Sequence, residues 1–385
     1  MGPGYMTCST FTVTLDQARW FRMRRSGLVD PFASAEAAAA ELAGIQAQIH
    51  PAAGLALWNR TPDLTHAGYE RMLFADRTLV KLWGQRGTLH AYASADWPLV
   101  CGMLAGTKSW WGRSADRAEQ YDAYAELVER AAALLEEKQV MGRSDLRAAG
   151  LTEEAEHLSP WGGIFADLVR HGYACHAARD GEGLFASRSS WLPGLAWDPP
   201  ERDAANVAML RRYLRTYGPA TLQDFKYWRG VKSADAQRWW AAVEPELATV
   251  AVDGSEQSIL RADIDELLAP SDALADSVRM LYRFDPFLLA HKDKRWLVPA
   301  AHHKQVFRIA GHIEGVILDR GRAIATWRYV RKGRGLTIVV EPFGRIPQRV
   351  RRKEERTAPR IAAYFDVPLQ EIVEQPFSLD TGPRA

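Results

Sequence analysis

Cysteine is nearly absent from this chain: Cys8, Cys101 and Cys175 are the only three among 385 residues, and no two form a CxxC pair. That scarcity excludes a disulfide framework and a cysteine-rich zinc site, and it points to a reducing cytoplasm as the compartment. Net charge is also small, +2, so affinity for nucleic acid must come from where the basic residues lie and not from their total. No apolar run is long enough to span a bilayer, and the start lacks a charged segment followed by an apolar one. Met1 to Met6 read as a loose leader outside the fold. Gly162-Gly163 lacks the lysine and hydroxyl residue of a phosphate-binding loop. His302-His303 with His312 is the histidine cluster visible in the sequence, and its spacing matches no zinc signature, so neither a metal nor a cofactor is expected.

Apolar residues make up 47% of the chain and tryptophan occurs 14 times, ample for folded cores. The length predicts two to four compact units. One pattern recurs three times: two or three short helices, then a two-stranded hairpin. In the first copy Thr14 and Gln17 form a capping box for a helix through Arg25, and Ser34 caps an alanine-rich helix that carries Gln46 and Gln48 up to Pro51. A helix from Ala67 to Phe74 then leads to a hairpin, Leu79 to Trp83 and Thr88 to Tyr92, across Gly84-Gln85-Arg86-Gly87. The second copy has helices over Tyr121 to Val140, after a Ser144 cap, and over Trp161 to His171, with a hairpin across Asp180-Gly181. The third turns at Gly218-Pro219, restarts at Thr221, has Ser233 capping a helix to Val243, and ends in a hairpin around Asp253-Gly254, a type I′ turn pair. Asp198-Pro199-Pro200 is the clearest linker.

From Ser277 the pattern changes to short strands, among them Trp296 to Val298, Gly315 to Leu318 and Ile324 to Trp327, and then to a basic helix, Arg349 to Arg360, interrupted near Pro359. The expected fold class is α+β: three tandem winged-helix modules over 10–117, 118–197 and 201–270, followed by a small antiparallel β-domain over 276–385. Winged helices usually bind duplex DNA, with a helix in a groove and the wing beside it. Arginine clusters at Arg22, Arg24 and Arg25, at Arg211, Arg212 and Arg215, and at Arg328, Arg331, Lys332 and Arg334 could neutralise phosphates.

Four blocks now carry a resemblance: Gln46-Ala47-Gln48 with Leu57-Trp58-Asn59-Arg60; Arg86-Gly87-Thr88-Leu89-His90; Leu214 to Thr221 leading to Asp224-Phe225 and Trp228; and Phe284-Asp285-Pro286-Phe287-Leu288. In the same order, over nearly the whole chain, they resemble the AlkZ and YcaQ winged-helix DNA glycosylases. The resemblance implies a monomer with a C-shaped, concave basic surface that excises alkylated purines from double-stranded DNA. It makes Gln46 and Gln48 the catalytic pair of the AlkZ branch, whereas the YcaQ branch has an aspartate in the second position. It further implies self-resistance or repair against a DNA-alkylating natural product, with interstrand crosslinks within reach. Arg60, Arg86, His90, Arg328, Arg331, Lys332 and Arg334 are the expected DNA contacts.

The chemistry has its own logic. An N7-alkylated purine is already cationic, so its glycosidic bond breaks toward a neutral leaving base without a strong general acid, and two neutral amides suffice to orient a water. The competing reading is a non-catalytic winged-helix regulator or repair scaffold. Regulators usually join one such module to a dimerisation segment, and this chain has three modules and no heptad repeat.

Overall fold

The computed structural model describes residues 11–61, 63–109, 111, 120–178 and 183–377; the predicted second wing turn at Asp180-Gly181 lies outside them, as do the side chains of Ala310 and Lys332. The chain begins with β1 (Phe11–Val13), α1 (Leu15–Arg25), α2 (Ala35–Glu41), β2 (Ile45–Gln46), α3 (His50–Trp58), α4 (His66–Phe74), β3 (Leu79–Trp83), β4 (Leu89–Ala93) and α5 (Trp97–Leu104). The Thr14–Gln17 capping box forms as expected. The alanine-rich helix does not reach the glutamines. Ala43 and Gly44 take positive φ, 53° and 91°, which ends α2, and a Cβ on Gly44 would fall 2.2 Å from the Tyr92 ring. Pro51 in the first turn then opens α3. One expected helix therefore becomes helix, turn, strand and a second helix, with Gln46 on β2 and Gln48 just beyond it.

A second group follows: α6 (Tyr121–Lys138), β5 (Val140–Met141), α7 (Arg143–Ala148), α8 (Gly163–Arg170), β6 (Ala174–His176), β7 (Phe185–Ser187) and α9 (Arg188–Trp191). Ser144 lies inside α7 and does not cap it; the Asp145 carboxylate instead accepts the Gly142 N–H at 2.8 Å. The third group is α10 (Arg202–Tyr217), α11 (Leu222–Arg229), α12 (Ser233–Val243), β8 (Leu247–Val252), β9 (Ser255–Leu260) and α13 (Ile264–Leu268). Lys232, not Ser233, is the α12 cap. Asp253 and Gly254 both have positive φ, as a type I′ turn requires.

Each group carries a three-stranded sheet, in the orders β2-β4-β3, β5-β7-β6 and β1-β8-β9. The last order reassigns the N-terminus. β1 pairs in parallel with β8, and Val13, Ala18 and Phe21 pack with Val250, Val252, Ile259 and Leu267. α1 thus belongs structurally with the third sheet, although the sequence places it at the head of the first module. A continuous apolar core extends from Ala35 to Ala290 and draws on all three groups, so they form one body.

The C-terminal part contains β10 (Val278–Leu281), α14 (Pro286–Leu289), α15 (His303–Val306), β11 (Gly315–Asp319), β12 (Arg322–Lys332), β13 (Gly335–Pro342), α16 (Gln348–Tyr364) and β14 (Leu369–Glu374). The five strands lie in order β10-β11-β12-β13-β14, and β14 runs parallel to β13, so the sheet is mixed and not purely antiparallel. Trp296-Leu297-Val298 forms turns and not a strand: the Leu297 and Val298 amides both bond to the Lys294 carbonyl. α16 continues through Pro359, because Ala358, Ile361, Ala362 and Tyr364 bury one face on the sheet and outweigh the lost hydrogen bond. The chain is α+β throughout.

Candidate functional site

The two glutamines are held from one short stretch of the first sheet. β2 pairs antiparallel with β4 through Gln46 and His90, and the Ala47 N–H reaches the Leu89 carbonyl at 2.7 Å. The Gln46 side chain is buried and its Oε1 accepts from Arg86 Nη2 at 3.0 Å. Gln48 is exposed and its Oε1 accepts from the Leu89 backbone N–H at 3.3 Å. A guanidinium and a backbone N–H can only donate, so the atom each one meets must be the amide oxygen. Both carboxamides are thereby fixed in orientation, with one oxygen lone pair engaged. Among the described residues neither Nε2 has a hydrogen-bond partner. The arrangement leaves four N–H donors and two lone pairs, all uncharged, to act on a third group.

Arg86 is the residue that ties this pair to its surroundings. It sits in the wing turn at φ 57°, donates through Nη1 to the Trp228 carbonyl at 2.5 Å, and has no carboxylate partner among the described residues. Burial pulls its pKa below the ordinary arginine value, yet an arginine keeps its proton. Gly230 ends α11 in the left-handed region, and a Cβ there would fall 2.9 Å from Arg86 Cα, so this glycine permits the close approach of α11 to the turn. Arg86 forms one wall of a cleft of about 490 Å³ that also includes Trp83, Lys108, Arg170 and Arg229. Among the described residues no lining side chain is acidic, which suits the cleft to a polyanion. No motif marks Lys108, Arg170 or Arg229 as wall residues, since they come from separate elements.

Two of the expected DNA contacts are placed elsewhere. Arg60 is completely buried, with a two-pronged bond to Asp285 at 2.7 and 2.8 Å and further bonds to the carbonyls of Ser26 and Ala56, so it cannot touch DNA. His90 is also buried; its Nδ1–H donates to the Thr88 carbonyl at 2.9 Å, and burial followed by the nearby Arg86 charge lowers its pKa to about 3. It is neutral at physiological pH and carries no charge to offer a phosphate.

His90 also yields a prediction for stability. A histidine depressed in the folded state contributes stability that is fully present above its unfolded value of about 6.5 and is lost as pH falls toward about 3. His176 and His291, likewise lowered by burial, act in the same direction. Urea midpoints should therefore drop between pH 7 and about 5, and His90→Asn, which keeps a donor for Thr88, should flatten that drop. Equal slopes for the parent and the variant would show that His90 is not depressed.

The arginine clusters divide in the same way. Arg22 is buried against the Pro219 carbonyl and Gln257, Arg24 and Arg25 pair with Asp30, Asp263 and Glu266, Arg211 pairs with Glu246, and Arg212 pairs with Asp96. The C-terminal hairpin differs. Pairing of β11 with β12 stops at Trp327, whereas β12 and β13 continue together to Lys332 and Gly335, so the tip extends beyond the β11 edge. Arg331 and Arg334 are exposed there, and the Arg331 guanidinium lies 4.6 Å from the Phe365 ring centre. Arg328, further down the strand, faces Glu341 at 3.8 Å. The histidines read together in the sequence disperse, His302 stacking on Phe343, His303 lying tilted against Phe307, and His312 turning to Glu314.

Comparison with known proteins shows the family and the fold. The family described as "DNA glycosylase AlkZ-like" matches residues 39–364. The Interstrand DNA cross-link repair glycosylase of Streptomyces sahachiroi is 30% identical over 361 residues, covering 88% of this chain and 94% of that protein. The solved structure of Streptomyces sahachiroi DNA glycosylase AlkZ superposes with a TM-score of 0.81 at 27% identity, over 95% of this chain and all of that one. No helix among the described residues is long and apolar enough to cross a membrane. The chain belongs to the AlkZ-like family and is a DNA glycosylase.

Proposed function

We propose that this glycosylase excises N7-alkylated purines from double-stranded DNA, interstrand crosslinks included, with Gln46 and Gln48 positioning the attacking water. The observation that carries this reading is the orientation of both amides by donors on one wing, Arg86 and the Leu89 N–H. As the C1′–N9 bond breaks, its electron pair neutralises the cationic purine, so departure needs no protein acid. Water adds to C1′ of the sugar cation and its proton passes to solvent. The amides contribute placement and dipoles, not proton transfer. The sugar cation itself is stabilised by the DNA phosphates, which the basic cleft draws in. The name of the Streptomyces sahachiroi relative supports crosslinks as substrates. The protein acts as a monomer, in modules divided as 10–117, 118–197, 201–270 and 276–385, with α1 docked on the third.

The test is release of 7-methylguanine from a methylated duplex, and of one strand from a crosslinked duplex, at protein amounts well below the DNA. Tight binding without release from either duplex would sink the proposal.

The β12–β13 hairpin belongs to the same reading, entering a groove with Arg331, Lys332 and Arg334. Replacing all three by alanine removes up to three phosphate partners, so the slope of log K against log salt should flatten by roughly two to three. Excision at saturating DNA should also fall if the tip touches the lesion. An unchanged salt slope, measured by fluorescence anisotropy, places the hairpin away from the duplex.

A further inference from the structure

The fold gathers three metal-ligating groups that lie apart in the sequence. His66 and Glu70 stand one turn apart on α4 and share a face, and His50, in the first turn of α3, packs against them. The His50 and His66 Nε2 atoms lie 3.8 and 3.7 Å from the same Glu70 oxygen, Oε1, and the potential ligand atoms all lie within 4.8 Å of one another. We propose that His50, His66 and Glu70 bind one transition-metal dication of the zinc class, joining α3 to α4 just after the turn that carries Gln48.

The separations are longer than hydrogen bonds and close to those of a coordination shell. Tetrahedral zinc with bonds of about 2.0–2.1 Å places its ligand atoms roughly 3.3 Å apart, so modest side-chain rotation closes the gap. Two imidazoles and one carboxylate form a nitrogen-rich set that favours zinc over the oxygen-seeking calcium and magnesium. The remaining His66 nitrogen, Nδ1, faces the Tyr364 hydroxyl at 3.4 Å. If that nitrogen carries the proton, the Nε2 lone pair points toward Glu70, an orientation that a cation between them turns from repulsive to binding. Aromatic rings enclose the cluster: Tyr69 lies 4.9 Å from His50 and Phe365 5.4 Å from His66, centre to centre. Such walls lower the local dielectric and strengthen ion–ligand attraction. The His66 and Glu70 side chains keep 24% and 17% of their exposure, which gives an ion a way in and leaves room for water as the fourth ligand.

The test uses the full-length protein, free of any affinity tag and stripped with chelator. Calorimetric titration with zinc chloride should show about one equivalent bound, with affinity weakened at least about tenfold in both His66→Gln and Glu70→Gln. Zinc at a hundredfold excess over its dissociation constant should raise the melting temperature of the parent by a few degrees, about twice the shift or more seen in either variant. Cobalt(II) provides a readout that needs no variant: intense visible absorption marks tetrahedral coordination with nitrogen ligands. No saturable zinc binding, variants within about threefold of the parent, or only the pale spectrum of hydrated cobalt would each overturn the proposal.

Discussion

Gln48→Ala should lower 7-methylguanine release by at least about tenfold while leaving affinity for undamaged duplex and the urea midpoint nearly unchanged. Gln48 is exposed, and the Leu89 N–H that it accepts lies where water can replace it, so the substitution removes an oriented amide at little structural cost. Gln46→Ala is a different experiment. It strips an acceptor from the buried Arg86 guanidinium, which costs about 1–3 kcal/mol of stability in addition to any loss of excision. Gln46→Glu separates the two effects, since a carboxylate keeps the Arg86 bond but replaces the amide N–H donors with a charged acceptor. Single-turnover rates at saturating enzyme, read beside anisotropy and denaturation, keep binding, chemistry and folding apart. If Gln48→Ala excises at the parental rate, the amide pair is not the catalytic element.

Where the structure follows the sequence, the determinants are local. The Thr14–Gln17 capping box, the restart at Thr221, the Leu79–Ala93 hairpin and the Asp253-Gly254 turn each depend on residues within a few positions of one another. Where it departs, a distant partner decides. The alanine run promises a helix through Gln48, but the Tyr92 ring, nearly fifty residues on, leaves room only for a glycine at position 44. α1 opens with the capping box expected at the head of a first module, yet its Ala18 and Phe21 pack on the sheet of β8 and β9. The glutamine pair was legible as a motif. Its partners were not, because Arg86 resembles any other wing-turn arginine until the fold brings it to Gln46. The His50, His66 and Glu70 cluster was hidden for the same reason: a spacing that matches no metal signature converges only when α3 and α4 pack side by side.

The largest stability effect should come from Arg60, a residue whose sequence context suggests a DNA contact. Its guanidinium and the Asp285 carboxylate are both fully buried, and the pair joins the end of α3 to the start of α14. Asp285 also caps α14 by accepting the Phe287 N–H at 2.9 Å, so both halves of the pair hold backbone in place. Removing one partner leaves an uncompensated charge without water, and Arg60→Ala or Asp285→Ala should each cost about 3–5 kcal/mol. The double substitution to residues of similar volume, Arg60→Met with Asp285→Leu, should cost less than the sum of the two alanine variants, because neither charge is then stranded. DNA affinity corrected for the folded fraction should stay at the parental value in all of them. An Arg60→Ala protein with a parental urea midpoint but weakened DNA binding would reverse the assignment and return Arg60 to the interface.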